Sequence, residues 1–340
     1  MTQLLSPSHT SVRWTAETEC PPSWPADMAR CGGGFFHSPG ALLAGAPHGD
    51  PLFLQLRDGN DVVGISVATR HGGHWGLTAK RTYMPTVPAF SAHVARDAAL
   101  SLLMTMLAAG GGAIVIDSFD ASQCPPHEPP LVARNSRTEF IISLADTEAG
   151  LAARCHAHHR RHIRRGERDG WTVRMLSRAE GERVLRVVHR TAADRGSARG
   201  EPFAAASHHI AMDTVPDIRR TWGIAIFSAW LADSPLAAAV IGYANGRAYY
   251  ISGGSTPGGY ERDASIWLHW KISAALAAAG FTSYNLGGIP ERAVDDAHPM
   301  HGLYRFKLGF GAQPVACRGV QQPAAPASHL GGWFMGHATQ

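Results

Sequence analysis

The stretch GIAIFSAWLADSPLAAAVIGYANGRAYYISGGS, residues 223–255, reads as three consecutive strands. Apolar, β-branched and aromatic residues fill Gly223–Leu231, Pro235–Ala244 and Arg247–Gly253, and such residues fit a pleated surface buried on at least one face. Between the runs lie Ala232-Asp233-Ser234 and Asn245-Gly246, and Asn-Gly supplies the positive φ angles of a tight hairpin turn. The stretch therefore predicts an antiparallel meander. Working outward, a loop over Gly254–Arg262 leads to an amphipathic helix over Ala264–Ala279, halted at Gly280. A strand at Tyr284–Leu286 then runs into Gly287-Gly288, and Pro314–Arg318 reads as a last strand. Upstream, RTEFIIS (137–143) predicts a strand, Glu148–Asp169 one strongly basic helix, Trp171–Met175 a strand and Arg178–Ala193 another helix. The segment Arg195–Pro202 reads as a loop.

The first part of the chain has the same order of elements. Two β-rich runs within residues 51–69 flank Asp58-Gly59-Asn60, a hairpin signal. A further strand is expected near His74–Leu77. A helix over His93–Ala109 follows, stopped by Gly110–Gly112, and then a short apolar strand, Ala113–Ile116. Meander, helix and strand thus occur twice, without a readable sequence repeat. Such an order predicts an α/β (α+β) fold of two units, each a mixed, mainly antiparallel sheet flanked by helices. Cys124–Pro130 (CPPHEPP) reads as the connection, dividing the chain into 1–130 and 131–320 with a flexible tail over 321–340.

Composition narrows the classes of function. With 340 residues, 45% hydrophobic and 17% charged, the chain is an ordinary globular sequence. It contains no apolar run of membrane-spanning length, and MTQLLSPSHTSVRW lacks the pattern of a secretory signal, so a cytoplasmic location is expected. Five scattered cysteines without CxxC spacing indicate neither a zinc ribbon nor a disulfide framework. No GxSxG, HExxH or phosphate-loop sequence anchors a hydrolase or kinase. The net charge of +4 demands no nucleic-acid partner, but its distribution is uneven.

Helical spacing puts Arg161, Arg164, Arg165 and Arg168 on one stripe, a candidate for RNA phosphates through charge and counterion release. The same helix carries His158 and His162 four residues apart, but no third metal ligand is identifiable and the arginines oppose a cation; no metal is expected. Asp117 ends the buried strand AIVI, at the edge where open α/β sheets bind ligands, and can accept a proton or hold an amine. Tyr249 and Tyr250 are adjacent on one strand and face opposite sides; Tyr250 is the one expected in a cleft.

Four stretches together resemble the FemABX family of aminoacyltransferases: RRHIRRGERDGWTV (160–173), the Arg195 segment before Pro202-Phe203, AYYISGGS (248–255), and FTSYNLGG (281–288) with GLYRFKLGFG (302–311). The resemblance implies twin GNAT-like units with a cleft between them and aminoacyl-tRNA as donor substrate. It also implies an acceptor site on the first unit and a catalytic lysine near the end of the second. By motif that lysine is Lys307, following Phe306; it is one of only three lysines, with Lys80 and Lys271. The same resemblance places Phe306, Ser255 and the loop residues Arg195 and Tyr83 at the substrate. A lysine fixed in a cleft supplies positive charge to an oxyanion or a phosphate.

The expected activity is transfer of an amino acid to the amine of a small peptide, a peptidyl nucleoside or a cell-wall precursor, by a monomer without a cofactor. Met84-Pro85-Thr86-Val87-Pro88 departs from the P-R-G-P stretch of family members that act on cell-wall precursors, which weighs toward the smaller acceptors. Two other readings stand beside this one. An acyl-CoA N-acyltransferase of the same fold normally has a glycine-rich pyrophosphate loop before a helix, and GGYERDASIWLHW (258–270) lacks that spacing. A non-catalytic binding protein would leave Lys307 and Asp117 dispensable.

Overall fold

The computed structural model describes residues 12–45, 49–72, 80–120, 131–198 and 222–324. The first part comprises β1 (Arg13–Glu17), α1 (Trp24–Cys31), a short 3-10 turn at Phe35–His37, α2 (Pro39–Gly45), β2 (Asp50–Asp58), β3 (Asp61–His71), β4 (Arg81–Met84), β5 (Ala89–Phe90), α3 (Arg96–Ala109) and β6 (Ala113–Ile116). There follow β7 (Val132–Ser143), α4 (Glu148–Arg154), α5 (Ala157–Arg168), β8 (Thr172–Met175) and α6 (Arg178–Ala198). The last part comprises β9 (Trp222–Leu231), β10 (Ser234–Ala244), β11 (Arg247–Ser255), α7 (Pro257–Tyr260), α8 (Ala264–Ala278), β12 (Ser283–Pro290), α9 (His301–Leu308) and β13 (Gln313–Gln322).

The meander of residues 223–255 is present as β9-β10-β11, with antiparallel pairing through both turns. The hairpin of the first part is β2-β3, and Gly59 takes the positive φ, 59°, that its turn requires. The doubled plan is therefore real. The chain enters a helix after each meander and returns as a parallel strand: α3 leads to β6 beside β4, and α8 leads to β12 beside β11.

The two halves share a single sheet. Its order is β1-β2-β3-β4-β6-β13-β7-β12-β11-β10-β9-β8, with β5 paired to β3. The C-terminal strand β13 lies between β6 and β7 and pairs antiparallel with both. One large core packs α8 against the strands of the second half, around Trp267, Phe140, Tyr243 and Tyr284. Another packs α3 against the first, around Leu54, Leu103 and Ile116. Burying a side chain such as Leu54 contributes about 1.5–3 kcal/mol.

Several sequence expectations need correction. The basic segment is two helices, α4 and α5, broken at Cys155-His156, where both residues are extended. Helix α8 is enclosed on nearly all sides rather than amphipathic: its residues Ile266 to Trp270 are all buried, because α5 and the sheet cover it. Helix α3 starts at Arg96 rather than His93. Segment Arg13–Gly45, to which the sequence reading assigned no element, forms β1, α1 and α2; Phe35 and Ala41 pack with β9, β10 and α6 of the second half. Strand β13 continues to Gln322, into the expected tail. The expectations at His74–Leu77, Cys124–Pro130 and Pro202-Phe203 lie outside the described residues. Among the described residues no helix is long and apolar enough to cross a membrane.

Candidate active site

The parallel pairing of β11 with β12 covers only Arg247–Tyr249 against Ser283–Asn285 and then stops. Both neighbouring ladders change register at this level: β10–β11 at Val240/Ile241, and β12–β7 between Asn285 and Gly288. Bulges of this kind bend a strand and end its pairing. Gly287 sits in the resulting gap with φ 74°, a conformation costly for any residue with a Cβ.

Lys307 reaches this gap from α9. Its side chain is almost wholly buried, 4% exposed, and Nζ donates to the Gly287 carbonyl at 2.8 Å. The ammonium also lies 5.6 Å from the centre of the Phe140 ring. Burial lowers the lysine pKa to about 7, and the negative charge of Glu139 opposes that shift only in part. A group with such a pKa exchanges protons near neutrality.

Glu139 anchors the opposite side. It is fully buried on β7 and accepts from three side chains: Asn285 Nδ2 at 2.8 Å, Tyr249 hydroxyl at 3.2 Å and Arg137 Nε at 3.2 Å. Asn285 in turn accepts from the Gly287 amide at 2.9 Å. Carboxylate, amide, glycine and lysine are thus one connected chain of contacts. Burial, and then the charge of Glu139, raise the Tyr249 pKa far above its usual value, so this phenol keeps its proton.

Arg137 joins this cluster to the first half. Its guanidinium lies 3.9 Å from the centre of the Phe119 ring, close enough to Tyr83 for its charge to act on that phenol. Tyr83 donates to Asp117 at 2.8 Å, and Arg134 pairs with the same carboxylate at 3.4 Å. Burial, then the charge of Asp117, raise the Tyr83 pKa. A small concavity adjoins the cluster, lined by Phe36, Asp120, Arg247, Tyr249, Ser283 and Asn285. Asp120 and Arg247 close its rim with a 3.0 Å ion pair between the two halves.

The residues expected at the site divide into those gathered and those placed elsewhere. Lys307, Asp117 and Tyr83 flank the Arg137–Glu139 cluster. Tyr83 is on strand β4 rather than on a loop, because it pairs there with Thr69 of β3 and Val115 of β6. Tyr250 points to the α8 side, against His269 at 4.7 Å, whereas Tyr249 meets Glu139. Phe306 is half-buried; its carbonyl is 2.9 Å from His159 Nε2, which fixes the proton on that nitrogen. Burial lowers the His159 pKa to about 4, so the ring is neutral at pH 7. Ser255 is buried and bonded to Ser265 at 2.7 Å, on the α8 side of the sheet with no contact to the cluster around Glu139. Arg195 is on helix α6, not a loop, with its guanidinium 4.1 Å from the centre of the Tyr260 ring.

Along α5, Arg161, Arg164 and Arg168 are exposed and Arg165 is half-buried, as a solvent-facing stripe requires. Sequence reading missed Glu139, Arg137, Asn285 and His269, and it set Tyr249 aside in favour of Tyr250. Glu139 had at most a weak signal, a carboxylate directly before the apolar run Phe140-Ile141-Ile142 in a strand that also carries Arg137 and Thr138. The others look like ordinary strand or helix residues until the fold assembles them. His269 is buried, hydrogen-bonded to the Tyr284 hydroxyl at 2.7 Å; burial, then the charge of Lys307, lower its pKa to about 3.

Fold and sequence together define the class, a GNAT-like fold. Residues 153–307 match the acetyltransferase (GNAT) domain family. No curated protein sequence matches the chain. The fold is similar to that of the crystal structure of FemX, with TM-score 0.65 at 12% identity over 87% of this chain and 96% of that one. It is also similar to the structure of L-PGS from Bacillus licheniformis, with TM-score 0.55 at 15% identity over 90% of this chain and 92% of that one. A tandem GNAT protein from the clavulanic acid biosynthesis pathway aligns with TM-score 0.50 at 11% identity over 93% of this chain and all of that one (100%). The FemABX resemblance read from the sequence stands, and the fold is that of a tandem GNAT protein.

Proposed function

We propose that this chain transfers an aminoacyl group from aminoacyl-tRNA to the amine of a small peptide, a peptidyl nucleoside or a cell-wall precursor, forming a peptide bond. The observation that carries the reading is Lys307, buried at the gap between β11 and β12 and in contact with Gly287. In its protonated form Lys307 offers a charged donor to the oxyanion that forms when the amine attacks the ester carbonyl. Asp117, held by Tyr83 and Arg134, orients the acceptor's ammonium or accepts a proton from it, leaving the neutral amine to attack; collapse of the tetrahedral intermediate then breaks the ester bond, and the tRNA 3′-oxygen leaves with a proton given up by that amine. The arginines of α5 supply charge for the tRNA phosphates. No cofactor takes part.

A donor of the acyl-CoA type is the second reading, favoured by the match of residues 153–307 to the acetyltransferase (GNAT) domain family. Labelled aminoacyl-tRNA and acetyl-CoA, offered in parallel to a panel of peptide and nucleoside amines, separate the two. Transfer from aminoacyl-tRNA that RNase abolishes is the expected result. Transfer only from the thioester would replace the first reading with the second.

A further inference from the structure

We propose that His158, His162 and Asp263 form a site for a divalent transition-metal cation, zinc by ligand type, that ties α5 to the start of α8. His158 and His162 are four residues apart on α5, a spacing that puts two imidazoles on one helix face, and their ring centres are 4.5 Å apart. The sequence offered no third ligand because it comes from a distant segment: Asp263, immediately before α8. One donor atom from each of the three lies within 4.8 Å of the others. A tetrahedral zinc site with bonds of about 2.0–2.2 Å separates its donors by roughly 3.3–3.6 Å. His162 Nε2 and Asp263 Oδ2 are already at that separation, 3.4 Å.

Two features of these residues point to a ligand. Asp263 stands at the N-cap of α8 with left-handed backbone, φ 55°, yet its carboxylate caps none of the helix amides. His162 is buried, and its ring nitrogens have only loose polar neighbours, Asp263 Oδ2 at 3.4 Å and the backbone of Arg262, although buried polar groups are normally well paired.

The surrounding arginines oppose a cation less than the sequence implied. Arg165 and Arg168 both pair with Asp169, at 3.4 and 3.0 Å, and Arg262 is 3.5 Å from Glu261. Arg161 is the competitor: it lies 3.3 Å from His158 Nδ1, a contact that opens when that nitrogen takes a metal. The two helices are held closely enough to keep the ligands in register. A Cβ on Gly166 of α5 would collide with Trp267 of α8, the Trp267 indole donates to Glu167 at 3.1 Å, and Lys271 pairs with Glu167 at 2.6 Å. Three protein ligands leave a fourth position for water or an anion.

The test uses untagged full-length protein stripped with a chelator, then titrated with Zn2+ by calorimetry and with Co2+ by visible absorption. His158→Gln and Asp263→Asn are the variants, since both side chains are exposed, and circular dichroism checks their fold. One cation per chain is expected, with tetrahedral Co2+ bands and a rise in Tm on adding Zn2+. Each variant should weaken binding by about tenfold or more, and Arg161→Ala should tighten it. Absence of binding, or binding that both variants leave unchanged, would overturn the site and assign any uptake to other histidines or cysteines.

Discussion

In the proposed mechanism the chemistry of the site rests on one side chain, Lys307, buried against the Gly287 carbonyl. Lys307→Met is expected to lower transfer by about 100-fold or more, the usual loss when an oxyanion donor is removed, with the circular dichroism spectrum unchanged. Burial lowers the Lys307 pKa to about 7, and the proposed mechanism uses the protonated form, so kcat/KM of the wild type should fall as pH rises through 7. The pKa is depressed below the ordinary lysine value of 10.5, so the unfolded chain binds the extra proton between about 7 and 10.5. Wild-type stability relative to Lys307→Met should therefore increase with pH over that window, as paired thermal melts would show. Glu139 raises the lysine pKa. Glu139→Gln should accordingly move the falling limb to lower pH, and should cost about 1–3 kcal/mol through the contacts with Tyr249, Asn285 and Arg137. A limb at unchanged pH would separate Glu139 from the lysine.

At the scale of elements, the gap between β11 and β12 depends on glycine. Gly287→Ala would force a Cβ into left-handed backbone, 3.2 Å from the Tyr250 carbonyl and 3.8 Å from Lys307 Nζ. The expected loss is about 1–2 kcal/mol in chemical denaturation, with a larger proportional loss of activity. Helix α5 makes a different prediction. Reversing charge at Arg161, Arg164 and Arg165 should weaken tRNA use and flatten its salt dependence by roughly 0.7–0.9 in log–log slope for each phosphate no longer neutralised. Competition assays at several salt concentrations measure this, and an unaltered slope would remove α5 from the tRNA interface. Pattern gave α5 its arginine stripe correctly, because helical spacing is local. It did not give the break at Cys155-His156, where the His156 amide donates to the Gly309 carbonyl after α9 instead of continuing a helix.

In the whole molecule, β13 makes the two halves one structure. It pairs with β6 on one side and β7 on the other, and Val320 is 1% exposed within the core of the first half. Unfolding followed by near-ultraviolet dichroism and by far-ultraviolet dichroism should therefore give coincident transitions. Two separated transitions would mean that the halves unfold independently despite the shared strand. The segment Arg13–Gly45 strengthens the union: Asn245 donates to the carbonyls of Met28 and Gly33 at 3.0 and 2.7 Å, and Arg247 to that of Gly32 at 2.9 Å.

The sequence by itself determined the doubled meander-helix-strand plan, the Asn245-Gly246 and Gly59 turns, the arginine stripe and the motif carrying Lys307. These are legible because period, turn chemistry and spacing act over a few residues. Only the tertiary structure decided that Glu139, Asn285 and Tyr249 form the lysine's surroundings, that Tyr250 faces α8, that Ser255 and Arg195 sit away from the Glu139 cluster, and that Asp263 completes a triad with His158 and His162. Each of those depends on long-range strand pairing and helix packing, which bring together residues that no local pattern connects.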